Sequence, residues 1–99
     1  MKDYILFMRS DRPAEGSDAG WDLYLQGLRR SGRFDGGSSI GVGRCVSRSG
    51  GEQPAPSPLS GYLRVRAVSL DDAVALLQGN PVYEAGGTVE VRELPRDDD

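Results

Sequence analysis

The sequence predicts an α+β domain of order β-α-β-β-α-β, on three observations. Tyr4 to Met8 is an unbroken apolar run between Asp3 and Arg9. Trp21, Tyr24, Leu25 and Leu28 fall at i, i+3, i+4 and i+7, the stripe of a helix that buries one side. Ser60 to Leu94 reads as strand, capped helix and strand, punctuated by Gly79-Asn80-Pro81 and Gly86-Gly87.

The first strand is expected from Asp3 to Arg9. Tyr4, Leu6 and Met8 share one face, Ile5 and Phe7 the other. Both faces are apolar, as in a central strand covered on both sides. Arg12 to Gly16, with Pro13, reads as a turn. Ser17 or Asp18 is placed to cap the first helix. Gly32 stands where a left-handed helix stop belongs, and Arg29-Arg30 complement the dipole of the last turn.

Arg33 to Val46 is expected as a weak second strand, bulged or kinked by Gly36, Gly37, Gly41 and Gly43. Ser47 to Ser60, holding Pro54, Pro56 and Pro58, reads as a loop long enough to be functional or mobile. Tyr62 to Ala67 alternates as the third strand. Ser69 then stands at a helix N-cap with Asp72 three residues on, a relative of the capping box. Val89 to Arg92 alternates as the fourth strand.

Right-handed crossovers turn this order into a four-stranded antiparallel sheet with two helices on one face, the ferredoxin-like arrangement. The apolar second face of strand one then needs its own cover. A second copy of the same sheet supplies it most simply, as a dimeric α/β barrel. One domain is expected over 1–95, with a solvated, disordered acidic tail over 96–99 ending Asp97-Asp98-Asp99.

Composition narrows the partners. The chain has 99 residues, a formal net charge of -3 and no histidine. Its arginines are dispersed among acids rather than massed, which speaks against nucleic acid, whose phosphates call for concentrated Lys and Arg. No apolar run approaches the roughly 20 residues of a membrane span, and Met1-Lys2-Asp3-Tyr4 lacks signal-peptide anatomy. Cys45 stands alone, so no intrachain disulfide forms and a cytoplasmic location is expected. With no His, one Cys and no Asp-x-Asp-x-Asp-Gly loop, neither a metal nor a cofactor is expected.

The pieces together resemble the YCII-related family, in the group that includes the DGPF-type proteins. Met1 to Phe7 resembles its opening strand. Trp21 to Leu28, Ser31-Gly32-Arg33-Phe34 and Gly36-Gly37 resemble its first helix and the turn into strand two. Gly61-Tyr62, Ser69 to Ala73, Asn80-Pro81, Gly86-Gly87 and Val89 to Arg92 resemble its second half. The resemblance implies a ferredoxin-like fold that pairs through open sheet faces into a dimeric barrel. Some relatives carry a His and an Asp in a cleft and have been proposed as enzymes. This chain has no His, so that dyad does not carry over. The Asp-Gly-Pro-Phe segment is also missing, and the region reads Pro54-Ala55-Pro56-Ser57-Pro58-Leu59.

The candidate site is the polar face of strands three and four: Tyr62, Arg64, Arg66, Glu90 and Arg92. By parity these lie opposite Leu63, Val65, Val89 and Val91, which should pack on the helices. Arginine forks bind carboxylates bidentately, so a small anionic or aromatic molecule is one expected partner. The plainer reading has Arg64, Arg66, Glu90 and Arg92 pairing with one another. The Gly36 to Gly43 run lacks the Gly-Lys-Ser/Thr ending and following helix of a phosphate loop. Cys45 has no His to activate it and is expected as a half-buried structural thiol. Trp21 and Tyr24 could line a ligand pocket between the first helix and the sheet, but aromatics at helical spacing are more often core, and the core is where they are expected. Tyr4 and Tyr62 sit where an RNA-recognition module stacks bases, but the acidic balance opposes that use.

Two functions follow. One is a non-catalytic cytosolic homodimer acting as an accessory or interaction module. The other is a small-molecule-binding protein or enzyme, isomerase-like or hydrolase-like, using an Arg-lined pocket in the barrel. Without His, its acid–base work would fall to Asp35, Glu90 or a Tyr with a pKa moved toward neutrality.

Overall fold

The computed structural model describes residues 1–9, 18–54 and 59–96. The expected turn at 12–16, the capping role of Ser17, Pro56 and Pro58, and residues 97–99 lie outside the described residues. The elements are β1 (Lys2–Arg9), α1 (Asp18–Arg30), β2 (Phe34–Ser39), β3 (Arg44–Ser47), β4 (Gly51–Pro54), β5 (Leu59–Ala67), α2 (Leu70–Ala75), α3 (Pro81–Glu84) and β6 (Val89–Leu94). A four-stranded antiparallel sheet runs in the order β2-β5-β1-β6, and β3 and β4 form a separate two-stranded sheet.

Alternation decides which face is core. Tyr4, Leu6 and Met8 of β1 and Leu63, Val65 and Ala67 of β5 are buried together with Tyr24, Leu28, Ala73, Leu77 and Val82 from the helical side. The register sets Leu6 opposite Leu63 in β5 and Val91 in β6. The α1 stripe behaves as its spacing predicts: Tyr24 and Leu28 are buried, and Trp21 and Leu25 pack against the core from its edge. The Tyr24 hydroxyl donates to the Leu76 carbonyl at 2.7 Å, tying α1 to the end of α2, and burial pushes its pKa up.

The stops and caps are legible in the bonds. Gly32, at φ +74, lets its own N–H reach the Arg29 carbonyl and the Arg33 N–H reach the Leu28 carbonyl, the paired bonds of a Schellman stop. Ser69 Oγ accepts from Asp72 N at 3.1 Å. Asp72 Oδ2 reaches back past the cap to Val68 N at 3.0 Å and takes Arg33 Nη1 at 2.8 Å. The capping box is thereby bolted to the residue that leads into β2.

Four expectations need correction. The strand expected over Arg33 to Val46 is two strands in different sheets. Gly36, at φ +108, is the extra residue of a bulge between Phe34 and Gly37, and β2 then pairs with β5 only as far as Ser39. Side-chain-free Gly41 and Gly43 lead the chain out of the sheet. The loop expected over Ser47 to Ser60 contains β4, which folds back on β3 through the Arg48-Ser49-Gly50 turn. Cys45, on β3, is exposed rather than half-buried, because this hairpin projects away from the core. Finally, Gly79-Asn80-Pro81 does more than close a helix. Buried Asn80 caps a third one, its Oδ1 accepting from Val82 N at 3.0 Å and Tyr83 N at 3.1 Å, with Pro81 at the first helical position.

Among the described residues no helix is long and apolar enough to cross a membrane. Replacing Ser69 by Ala should remove one cap bond and lower stability by about 1 kcal/mol. Urea denaturation checks this through a lower midpoint at unchanged slope.

Candidate functional site

The sheet face turned away from the helices carries the residues singled out from sequence. Ile5 lies opposite Arg64 on β5 and Arg92 on β6, and Phe7 lies opposite Tyr62 and Glu90. Ile5, Phe7 and Tyr62 are half-buried and form an apolar stripe across the middle of this face. Charge flanks it on both sides. Toward β2, Asp35 pairs with Arg66 Nη2 at 3.1 Å and with Arg64 Nη2 at 3.9 Å. Toward β6, Glu90 holds Arg9 Nη2 at 3.0 Å and Arg92 Nη1 at 3.1 Å. Each flank is an arginine–carboxylate–arginine triad. At the far end of β1, Arg96 binds Asp3 Oδ2 at 2.9 Å and the Met1 carbonyl at 2.8 Å.

Tyr62, Arg64, Arg66, Glu90 and Arg92 therefore share one face, as parity predicts. Their pairing differs from the plain sequence reading. Arg64 and Arg66 take Asp35, not Glu90, and Glu90 takes Arg9 as well as Arg92. Arg9 was within reach of sequence reasoning, since it continues the Ile5–Phe7 parity. Asp35 is named from sequence only as a possible acid or base, and its place beside Arg64 and Arg66 was out of reach because its register opposite β5 depends on the bulge beside it.

Hydrogen bonds set the carboxylate chemistry. The Arg9 guanidinium, helped by Arg92, holds the Glu90 carboxyl below its ordinary value of 4.5. The Arg96 guanidinium does the same for Asp3, and the Val68 N–H followed by Arg33 for Asp72, both below 3.8. A general acid or base at neutral pH needs the opposite shift. Glu90 is thus an anion fixed in place, a structural charge rather than a proton shuttle.

The helix-facing side of the sheet has a different feature, a cleft of about 410 Å³ between α1 and the glycine-bearing ends of β2 and β5. Trp21 lines it and Tyr24 does not, although the two rings meet edge to face with their centroids 6.0 Å apart. Among the described residues no cluster of three or more His, Cys, Asp or Glu is arranged to hold a metal ion.

No family model matches the chain, and no curated protein matches it.

Two outcomes are expected from this geometry. The folded-state pKa values of Asp3, Asp72 and Glu90 are depressed, so their contribution to stability is complete above the ordinary values and disappears as pH falls through the lower folded ones. With no histidine to titrate, the urea midpoint should stay level between about pH 5 and 8 and fall below about pH 4. Replacing Arg92 by Leu leaves Glu90 its Arg9 partner, and the Arg92 side chain is 67 % exposed. The melting temperature of that variant should stay within about 3 °C of the parent by calorimetry.

Proposed function

We propose that the protein is a non-catalytic homodimeric module of the YCII-related kind, a ferredoxin-like domain that stacks its open sheet face on that of a second copy to make a dimeric α/β barrel, and that it serves in the cytoplasm as an accessory or interaction unit. The observation that carries this reading is the open face itself. Ile5, Phe7 and Tyr62 lie in an apolar band at its centre, and charged triads fence the band on both sides. An apolar centre with a polar rim is the usual anatomy of a protein–protein contact. The face is identical in both copies, so a two-fold contact suits it.

The strand order β2-β5-β1-β6 supports the ferredoxin-like part of the reading. With the β3–β4 hairpin set aside as an insertion, the two outer strands each follow a helical crossover from a central one. Absence of catalysis is supported by the lack of histidine and by the lowered pKa of Glu90. An anion-binding role for Arg64, Arg66 and Arg92 is the weaker alternative, because each already has a carboxylate of this chain beside it.

Multi-angle light scattering of the parent at micromolar concentration should give twice the 10.7 kDa protomer mass. Phe7→Glu should give the single mass with helix and strand content unchanged by circular dichroism. A parent that runs at the single mass removes the proposal.

A further inference from the structure

The cleft between α1 and the sheet owes its space to a side chain that is not there. Gly61 on β5 lies opposite Met8 of β1, on the buried side. A Cβ on Gly61 would stand 3.5 Å from Met8 Cε and 3.1 Å from the Ser38 carbonyl, pointing into this region. Gly37, on the neighbouring strand, is tighter still, with a built Cβ 2.5 Å from the Tyr62 carbonyl. Gly37 pairs with Leu63 and Gly61 with Ser39, so the two bare positions are diagonal neighbours and leave a floor of backbone. Trp21 and Leu25 of α1 and Phe34 of β2 stand around it. The volume of about 410 Å³ lies within the roughly 300 to 1,000 Å³ range of small-molecule sites.

One charge borders this apolar space. Arg29 lines the cleft, with its guanidinium carbon 5.1 Å from the centroid of the Phe34 ring. The arginines of the open face all have carboxylates. Among the described residues no carboxylate lies within ion-pair distance of Arg29. Two of the three lining serines hold their hydroxyls on backbone carbonyls of this chain. Ser38 Oγ donates to the Ser39 carbonyl and Ser60 Oγ to that of Met8, so their protons are already committed. A guanidinium stacked on an aromatic ring keeps its fork edge free for a planar anion.

We propose that this cleft binds a small aromatic carboxylate, its ring against Trp21 and Leu25 over the Gly37–Gly61 floor and its carboxylate on the Arg29 fork. The site is on the opposite side of the sheet from the dimer face, so either can fail without the other. Apolar walls supply affinity and the single cation supplies orientation, the division of labour usual in such pockets.

Trp21 is the chain's one tryptophan, so its indole N–H gives an unambiguous signal in a proton–nitrogen correlation spectrum. Titration of the full chain with trans-cinnamate should shift that signal saturably, with a Kd of about 1 mM or below for a ligand of this size. Cinnamyl alcohol, which keeps the ring and loses the charge, should bind about tenfold more weakly. Arg29→Gln should bring cinnamate down to the level of the alcohol and leave the alcohol unchanged. Arg29 is exposed, so this variant should fold, and its spectrum away from α1 verifies that. Leu25→Trp, which fills the cleft from the half-buried α1 face, should abolish both. The proposal is overturned if cinnamate leaves the Trp21 signal unmoved, if Arg29→Gln binds it as tightly as the parent, or if saturable shifts fall on Ile5 and Phe7 instead.

Discussion

The register of β1 between β5 and β6 is the constraint on which the rest of this molecule depends. Leu6 sits opposite Leu63 and Val91, and every other residue of β1 follows from that match. A slip of one residue would turn Asp3, Ile5, Phe7 and Arg9 into the core and send Tyr4, Leu6 and Met8 out of it. The core cannot accept that exchange. Burying a side chain such as Leu6 or Val65 stabilises by about 1.5 to 3 kcal/mol, whereas exposed ion pairs contribute little. The apolar row therefore chooses the register, and the charged triads are a consequence of it. They form where the register brings Arg9 and Arg92 beside Glu90, and Arg64 and Arg66 beside Asp35.

How much of this is legible in the sequence depends on how local its cause is. The helix stripe at Trp21 to Leu28, the Gly32 stop and the Ser69 cap are each settled within one or two turns of chain, and the structure contains all of them. The same holds for the two faces of β1 and β5, since parity needs only a strand and its pattern. The region from Arg33 to Ser60 is different. Its glycines remove the side chains whose alternation would have revealed the strands, and the β3–β4 hairpin packs on no apolar face that could leave a pattern. The Ser49-Gly50 step between two short strands was the available signal. Asn80-Pro81 carried a stronger one, a capping residue followed by a helix-starting proline, which also reads as simple punctuation.

The candidate site divides along the same line. Membership of the open face follows from alternation, but partner choice across strands follows from register and bulges, which are long-range. Arg64 and Arg66 meet Asp35 because Gly36 absorbs one residue and resets β2 against β5. The consequence is chemical. Three arginines that suggest an anion site in the sequence each have one of the protein's own carboxylates beside them, while Arg29, which in sequence looks like a helix-end charge, borders an apolar cleft.

Glycine has two opposite uses within a few ångströms of each other. At Gly37 the backbone of β2 comes so near Tyr62 and Leu63 that any side chain would force the strands apart. At Gly61 the neighbours are looser, and the bare position leaves the cleft open beneath α1. A protein of this size has little core to spare, since small domains bury a smaller share of their surface than large ones. A side chain at position 61 would reach Met8, but its Cβ would stand 3.1 Å from the Ser38 carbonyl, so the backbone of β2 would have to give way first. The bare position thus follows from the close approach of β2, and it leaves the floor of the cleft open beside Trp21 and the Arg29 guanidinium stacked on Phe34.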